Sequence, residues 1–195
     1  MKASDGDQLW NKFKSGDRDS FAKIYNVYIE DLLSYGYRVT SNRQLIKDSI
    51  QDVFLNLWLQ RANLSDTDSI KFYLFRALRN RIVRNIEIQH DKPGPDPESF
   101  AEGLLVDFPL EQALMENETH EELIKRLQNA ISQLPKRQQE VLQLRYHQNF
   151  GLEEIAEMMQ ISNQSVRNLL HRSIGELRKF FQVAGWIMLL IFLLG

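Results

Sequence analysis

No helix can run through Pro93-Gly94-Pro95-Asp96-Pro97. Each proline lacks the amide hydrogen a helix needs and its ring clashes with the carbonyl four residues earlier, while glycine loosens the backbone further. This break splits a chain of 195 residues near its middle and leaves two parts, each of small-domain size. Charge follows the same division. Residues 91–122 hold one Lys against ten Asp and Glu, a local charge of −9, whereas residues 1–90 carry +3 and residues 123–195 carry +4. The net charge of −2 therefore conceals two mildly basic blocks joined by an acidic segment that reads as a solvated linker. The expected organisation is a first domain over residues 1–89, a linker over 90–122, a second domain over 123–182 and an apolar tail over 183–195.

Both blocks have the period of helices. In the first, Asp19 or Ser20 can start a helix carrying Phe21, Ile24, Tyr25, Tyr28, Leu32 and Tyr35 at spacings of three and four. A second helix carries Ile46, Ile50, Val53, Phe54, Leu57 and Trp58 as one stripe. Asp66 or Asp68 can cap a third, arginine-rich helix from about Ile70 to Ile88. After the linker, helices resume from about Leu110, with Leu123, Leu127, Ile131 and Leu134 on one face up to Pro135. Three further helices are predicted: Lys136–Tyr146, Leu152–Met159, and one capped by Ser162 that runs through Val166, Leu169, Leu170, Ile174 and Leu177. No alternation of Val, Ile and Thr marks a strand, so the fold class is all-α: two small helical domains joined by an acidic linker.

The last two helices have the punctuation of a helix-turn-helix. Ala156 is small where two helices must cross closely, Ile161 is apolar in the turn, and Val166 and Leu170 anchor the second helix from beneath. That leaves Asn163, Gln164, Ser165, Arg167, Asn168, His171 and Arg172 toward the exposed side. Amide, hydroxyl and guanidinium groups of this kind reach base edges and phosphates in a major groove, so DNA is the expected partner. Arg178 and Lys179 extend the basic surface.

In the first block, Asp48, Gln51 and Asp52 lie opposite the apolar stripe, adjacent on one helix face. Such a cluster suits charge-assisted contact with an arginine-rich partner. On spacing alone, a solvated acidic face is the better reading.

The motifs themselves carry a resemblance. Lys47-Asp-Ser-Ile-Gln-Asp-Val-Phe-Leu-Asn-Leu-Trp58 resembles region 2.2 of sigma-70 family proteins, and the likeness extends upstream through Gly16-Asp-Arg-Asp-Ser-Phe-Ala-Lys-Ile-Tyr25. Phe72-Tyr-Leu-Phe-Arg-Ala-Leu-Arg-Asn80 resembles the region 2.3–2.4 helix, and Gln133-Leu-Pro-Lys-Arg-Gln-Gln-Glu-Val-Leu142 resembles region 4.1, with the helix-turn-helix where region 4.2 belongs. Length and the absence of a middle domain resemble the extracytoplasmic-function group. The resemblance implies docking on the β′ clamp helices of core RNA polymerase through Asp48, Gln51, Asp52 and Leu55. It implies contact with the promoter −10 element through Lys71, Tyr73, Arg76, Arg79, Asn80 and Arg84, and with the −35 element through the exposed residues of the last helix. It also implies a linker threaded toward the polymerase channel and, as a further partner in many members, a membrane-bound anti-sigma protein. Leu78 and Arg84 depart from the Ala and Asp common in the −10 helix, and Leu169 and Ile174 stand where arginine is common in the recognition helix.

Other chemistry is not expected. The chain has no cysteine, so no disulfide or thiolate metal site; this fits a cytoplasmic location, as does an N-terminus without an apolar signal segment. His90, His120, His147 and His171 are scattered without metal-ligand spacing, and no phosphate loop, nucleophile motif or convergent acid pair stands out, so no cofactor, small-molecule substrate or enzymatic activity is expected. The tail Val183–Leu194 holds twelve uncharged residues, short of the roughly 20 that span a bilayer. Packing or a protein partner is the favoured reading, membrane contact the lesser one. Two alternatives share part of the pattern: a helix-turn-helix regulator outside the sigma factors, and a polymerase adaptor that reads no DNA. The Asp48–Trp58 motif discriminates against the first, because a ligand-sensing domain needs a pocket rather than an exposed acidic helix.

Overall fold

The computed structural model describes residues 3–90 and 118–180, which fall in two separate compact units. Among the described residues every regular element is helical, as the periodicity predicts. The first unit contains α1 (Ala3–Lys14), α2 (Arg18–Val39), α3 (Arg43–Gln60), a 3₁₀ turn (Arg61–Asn63) and α4 (Ile70–His90). The second contains α5 (Glu118–Ser132), α6 (Lys136–Leu142), a π-helical turn (Gln143–His147), α7 (Leu152–Met159) and α8 (Asn163–Phe180).

Helix α1 has no counterpart in the periodicity reading. Its apolar content is Leu9, Trp10 and Phe13, all buried, with Phe13 fully so. Three side chains make too short a stripe to mark a helix, yet the two aromatics bury enough surface to hold one once α2–α4 receive them. The helix ends in a Schellman motif: Asp17 N donates to Lys12 O at 3.1 Å and Gly16 N to Phe13 O at 2.9 Å. Gly16 sits at φ +96°, a conformation strained for any L side chain.

Asp17 caps α2, two or three positions ahead of the expected Asp19 or Ser20. Its carboxylate accepts from Ser20 N at 3.0 Å and from the Ser20 hydroxyl at 2.5 Å. The hydroxyl bond, then the amide bond, holds the Asp17 carboxyl below the usual carboxylate range. A depressed carboxyl stabilises the fold above its unfolded pKa and loses that contribution as the pH falls through its folded value. Asp17→Ala is thus expected to lower the melting temperature at neutral pH, with the gap to the unchanged chain closing below about pH 4; thermal melts across pH check it. The start of α4 differs in the same way: Ser69 Oγ, rather than Asp66 or Asp68, accepts from Phe72 N at 3.1 Å.

The stripe of α3 is inside as predicted, with Ile46, Ile50, Val53, Phe54 and Leu57 buried and Trp58 half-buried. Trp58 lies in an aromatic cluster, 5.1 Å from Phe21, with the Arg61 guanidinium 4.4 Å above its ring. Helices α2 and α4 meet through Tyr35 and Phe75, ring centroids 5.1 Å apart and both fully buried. Between α3 and α4 a buried Ser49 hydroxyl accepts from Asn85 Nδ2 at 3.1 Å, so the polar group has its partner inside. Helix α2 crosses α3 at Gly36, where an added Cβ would stand 2.5 Å from Ile46 Cγ2. Gly36→Ala gains up to about 1 kcal/mol of helix propensity but overpacks a full site for about 1–3 kcal/mol, so net destabilisation is expected in denaturant titration.

In the second unit α6 is the central helix. Gln139 through Leu144 are all buried, a run that no single helix face can supply. Gln139 donates from Nε2 to Ser132 O at 3.0 Å and Leu134 O at 2.7 Å, satisfying carbonyls left open at the end of α5. The helix expected over Lys136–Tyr146 ends as α-helix at Leu142 and widens into the π turn. Asn149 at φ +57° then reverses the chain, with Phe150 N donating to Leu144 O at 3.0 Å. On α5 Ile124, Leu127 and Ala130 are buried and Ile131 is half-buried, and Leu134, just past the helix, is buried as well. The side chain of Leu123, the segment from Leu110 to Asn117 and the apolar tail lie outside the described residues. Among the described residues no helix is long and apolar enough to cross a membrane, and no cluster of His, Asp and Glu could hold a metal ion.

Candidate nucleic-acid interface

Helices α7 and α8 form the helix-turn-helix. The Glu154 carboxylate accepts from Gly151 N at 2.7 Å and, with Glu153, puts negative charge at the α7 N-terminus, where the helix dipole favours it. The turn is a second Schellman motif, with Ile161 N donating to Ala156 O at 3.0 Å and Gln160 at φ +55°. Ser162 caps α8 as expected, its hydroxyl accepting from Ser165 N at 3.1 Å.

Val166, Leu170, Ser173 and Leu177 of α8 are buried, which turns the opposite face outward. Asn163, Gln164, Arg167, Asn168, His171 and Arg172 are exposed, and Ser165 is half-buried beneath them. Gln164 Nε2 donates to Asn168 Oδ1 at 3.0 Å, so the two amides are mutually oriented along one ridge. Leu169 and Ile174, which replace arginines common at those places, are half-buried. Apolar side chains suit that partial burial.

In the first unit, Asp48 and Gln51 are exposed on α3 and Leu55 is 57% exposed. Leu59, 65% exposed one turn further on, continues the face, though neither the helix spacing nor the resemblance singled it out. Asp48 accepts from Gln44 Nε2 at 2.8 Å. Asp52 is committed within the unit: its Oδ2 accepts from Arg81 Nε at 2.9 Å and Arg81 Nη2 at 2.6 Å. This bond ties α3 to α4 and commits Arg81 within the unit.

On α4, Arg76, Asn80 and Arg84 are exposed at successive i+4 positions and form one stripe. Arg79 is only 8% exposed and stands apart from that stripe. Lys71 lies 5.8 Å from the Phe75 ring, and Tyr73 packs against Trp10 with centroids 5.5 Å apart. Half-burial pushes the Tyr73 hydroxyl above its usual range, keeping it a neutral donor.

A helix-turn-helix with a polar, cationic recognition helix in one unit, and an exposed face of acidic, amide and apolar side chains in the other, fit a DNA-binding regulator of transcription. Two family models match the chain: "Sigma-70 region 2" over residues 24–89 and "Sigma-70, region 4" over residues 124–177. The RNA polymerase sigma factor YlaC of Bacillus subtilis is 30% identical over 172 residues, covering 83% of this chain and 92% of its own. The ECF RNA polymerase sigma factor SigW of the same organism is 26% identical over 170 residues, covering 85% and 91%. Among solved structures, the sigma factor RpoE from Bartonella quintana, in complex with the anti-sigma factor NepR, aligns with a TM-score of 0.63 at 16% identity over 84% of this chain and 97% of that one. The chain belongs to the sigma-70 family, in its extracytoplasmic-function group, and is an alternative sigma factor acting in transcription initiation. That membership decides against a helix-turn-helix regulator of another family.

Proposed function

We propose that this sigma factor docks on core RNA polymerase through the outer face of α3 and brings promoter DNA to it through α4 and α8. Asp48, Gln51 and Leu55 make the docking contact. Asp52 holds Arg81 with one carboxylate oxygen, and Oδ1 adds the contact assigned to it on the β′ clamp helices. The α4 stripe of Arg76, Asn80 and Arg84, with Lys71 and Tyr73 at the first turn, engages the −10 element. Arg79 supports that helix from its buried side. The face from Asn163 to Arg172 enters the major groove at −35.

The observation that carries this reading is the pairing of exposure with family span: both polar faces are presented outward, each within a matched sigma-70 region. Residues 1–89 and 123–182 act as the two modules, and the acidic segment 90–122 is the tether through which two weak DNA readouts become one selective one. The role involves no bond chemistry by this chain and is exercised in the cytoplasm. An anti-sigma protein is the further partner, as NepR is for RpoE.

The test is co-elution of the purified chain with core polymerase on a sizing column, followed by selection of genomic fragments by the complex. Retained fragments sharing two spaced elements support the reading. Failure of the chain to co-elute with core contradicts it.

A further inference from the structure

Helix α1 lies before residue 24, where the match to sigma-70 region 2 begins, and the docking and promoter assignments give it no role. It packs on α2, and a side-chain hydrogen bond and an ion pair carry it to the segment that leads into α4. Trp10, 2% exposed, donates from Nε1 to the carbonyl of Ser65 at 3.1 Å across 55 residues of chain. One helical turn on, the Lys14 ammonium pairs with the Asp66 carboxylate. Thr67 Oγ1 then bonds both ends of Ser69, and Ser69 Oγ caps α4. The Trp10 ring also packs on Tyr73, in the first turn of that helix.

From these contacts we propose that α1 is a clamp that sets the first turn of α4 for the −10 element, with Trp10 and Lys14 as positioning residues for Tyr73. The inference rests on the assignment of α4 to that element. Trp10 fixes Tyr73 twice: directly, ring on ring, and indirectly, by fastening the Ser65 carbonyl whose segment delivers Ser69 to its cap. Lys14 adds a second tether one residue further along. A lone exposed ion pair would contribute little. The tryptophan bond is different, because removing the donor leaves the Ser65 carbonyl without that partner.

Trp10→Phe with Lys14→Ala keeps an aromatic ring in the core and removes both tethers. The full-length variant, bound to core polymerase, is expected to open promoter DNA at the −10 element about tenfold less well, as read by permanganate reactivity of unpaired thymines. Core affinity and binding of a −35 fragment are expected to stay within about twofold of the unchanged chain, since neither α3's outer face nor α8 is touched. Combining the pair with Tyr73→Ala should add little beyond Tyr73→Ala alone, a non-additivity that a merely structural role for α1 would not produce. Tyr73→Ala that weakens opening, beside an unchanged clamp variant, overturns the clamp alone. Full additivity also overturns it. Tyr73→Ala with unaltered opening overturns the assignment of Tyr73 to the −10 element, and the clamp with it.

Discussion

A chain carrying Asp48→Arg and Leu55→Arg together is expected to lose affinity for core polymerase by on the order of a hundredfold, while keeping its helices and its melting temperature. Both side chains are well exposed on α3, so neither substitution opens the core. The first reverses a charge where a cationic partner is assigned, and the second places a guanidinium where the face is apolar. Repulsion and the desolvation of a mispaired charge then act at the centre of the contact. Asp52→Arg is a poorer probe. It removes the Arg81 bond and sets two cations against each other between α3 and α4, so lost binding would mix with a disturbed fold. Titration of labelled core by fluorescence anisotropy, with circular dichroism as the folding control, decides the point. An affinity within a few-fold of the unchanged chain would place the docking face elsewhere.

The second large effect is expected on α8. Arg167→Ala with Arg172→Ala should weaken binding to a −35 fragment by roughly a hundredfold at moderate salt, from contacts of about 1–3 kcal/mol each. Both residues are exposed, and alanine favours the helix, so stability should hold or rise slightly. Salt separates phosphate from base contacts. If both arginines neutralise phosphate, the slope of log affinity against log salt becomes shallower by about two. If one reads a base edge, the slope changes by about one and base discrimination is lost at that position. An unchanged slope and affinity would remove α8 from the DNA contact.

What could be read in the sequence follows from where each signal resides. The turn between α7 and α8 was legible because Ala156, Ile161, Ser162, Val166 and Leu170 act within a span of 15 residues, and caps and stripes are local effects. Helix spacing put Asp48 and Gln51 on one outward face, while Leu55 joined it only through the resemblance to region 2.2. The Asp52–Arg81 bond was not legible, because it joins residues 29 apart on different helices, and nothing in either helix's spacing selects the partner. Helix α1 was missed for a related reason: beyond each other, Trp10 and Phe13 find aromatic neighbours only when α2, α3 and α4 are assembled. The π turn was hidden by an ordinary helical composition at Gln143–His147. Gln160 concealed the left-handed turn residue, where glycine would have announced it. Capping erred by two or three positions in Asp17-Arg-Asp-Ser20, a stretch with three plausible caps, where only the backbone geometry chooses Asp17.

Transcription in a defined system tests the central claim most directly. Purified core polymerase, genomic fragments and nucleotides are combined with and without the chain, and transcript 5′ ends are mapped. Discrete start sites that depend on the chain, each preceded by paired elements at −35 and −10 spacing, are the predicted result, and they should vanish with Asp48→Arg/Leu55→Arg. Transcripts no different from those of core alone, under conditions where the chain is folded, would contradict the account.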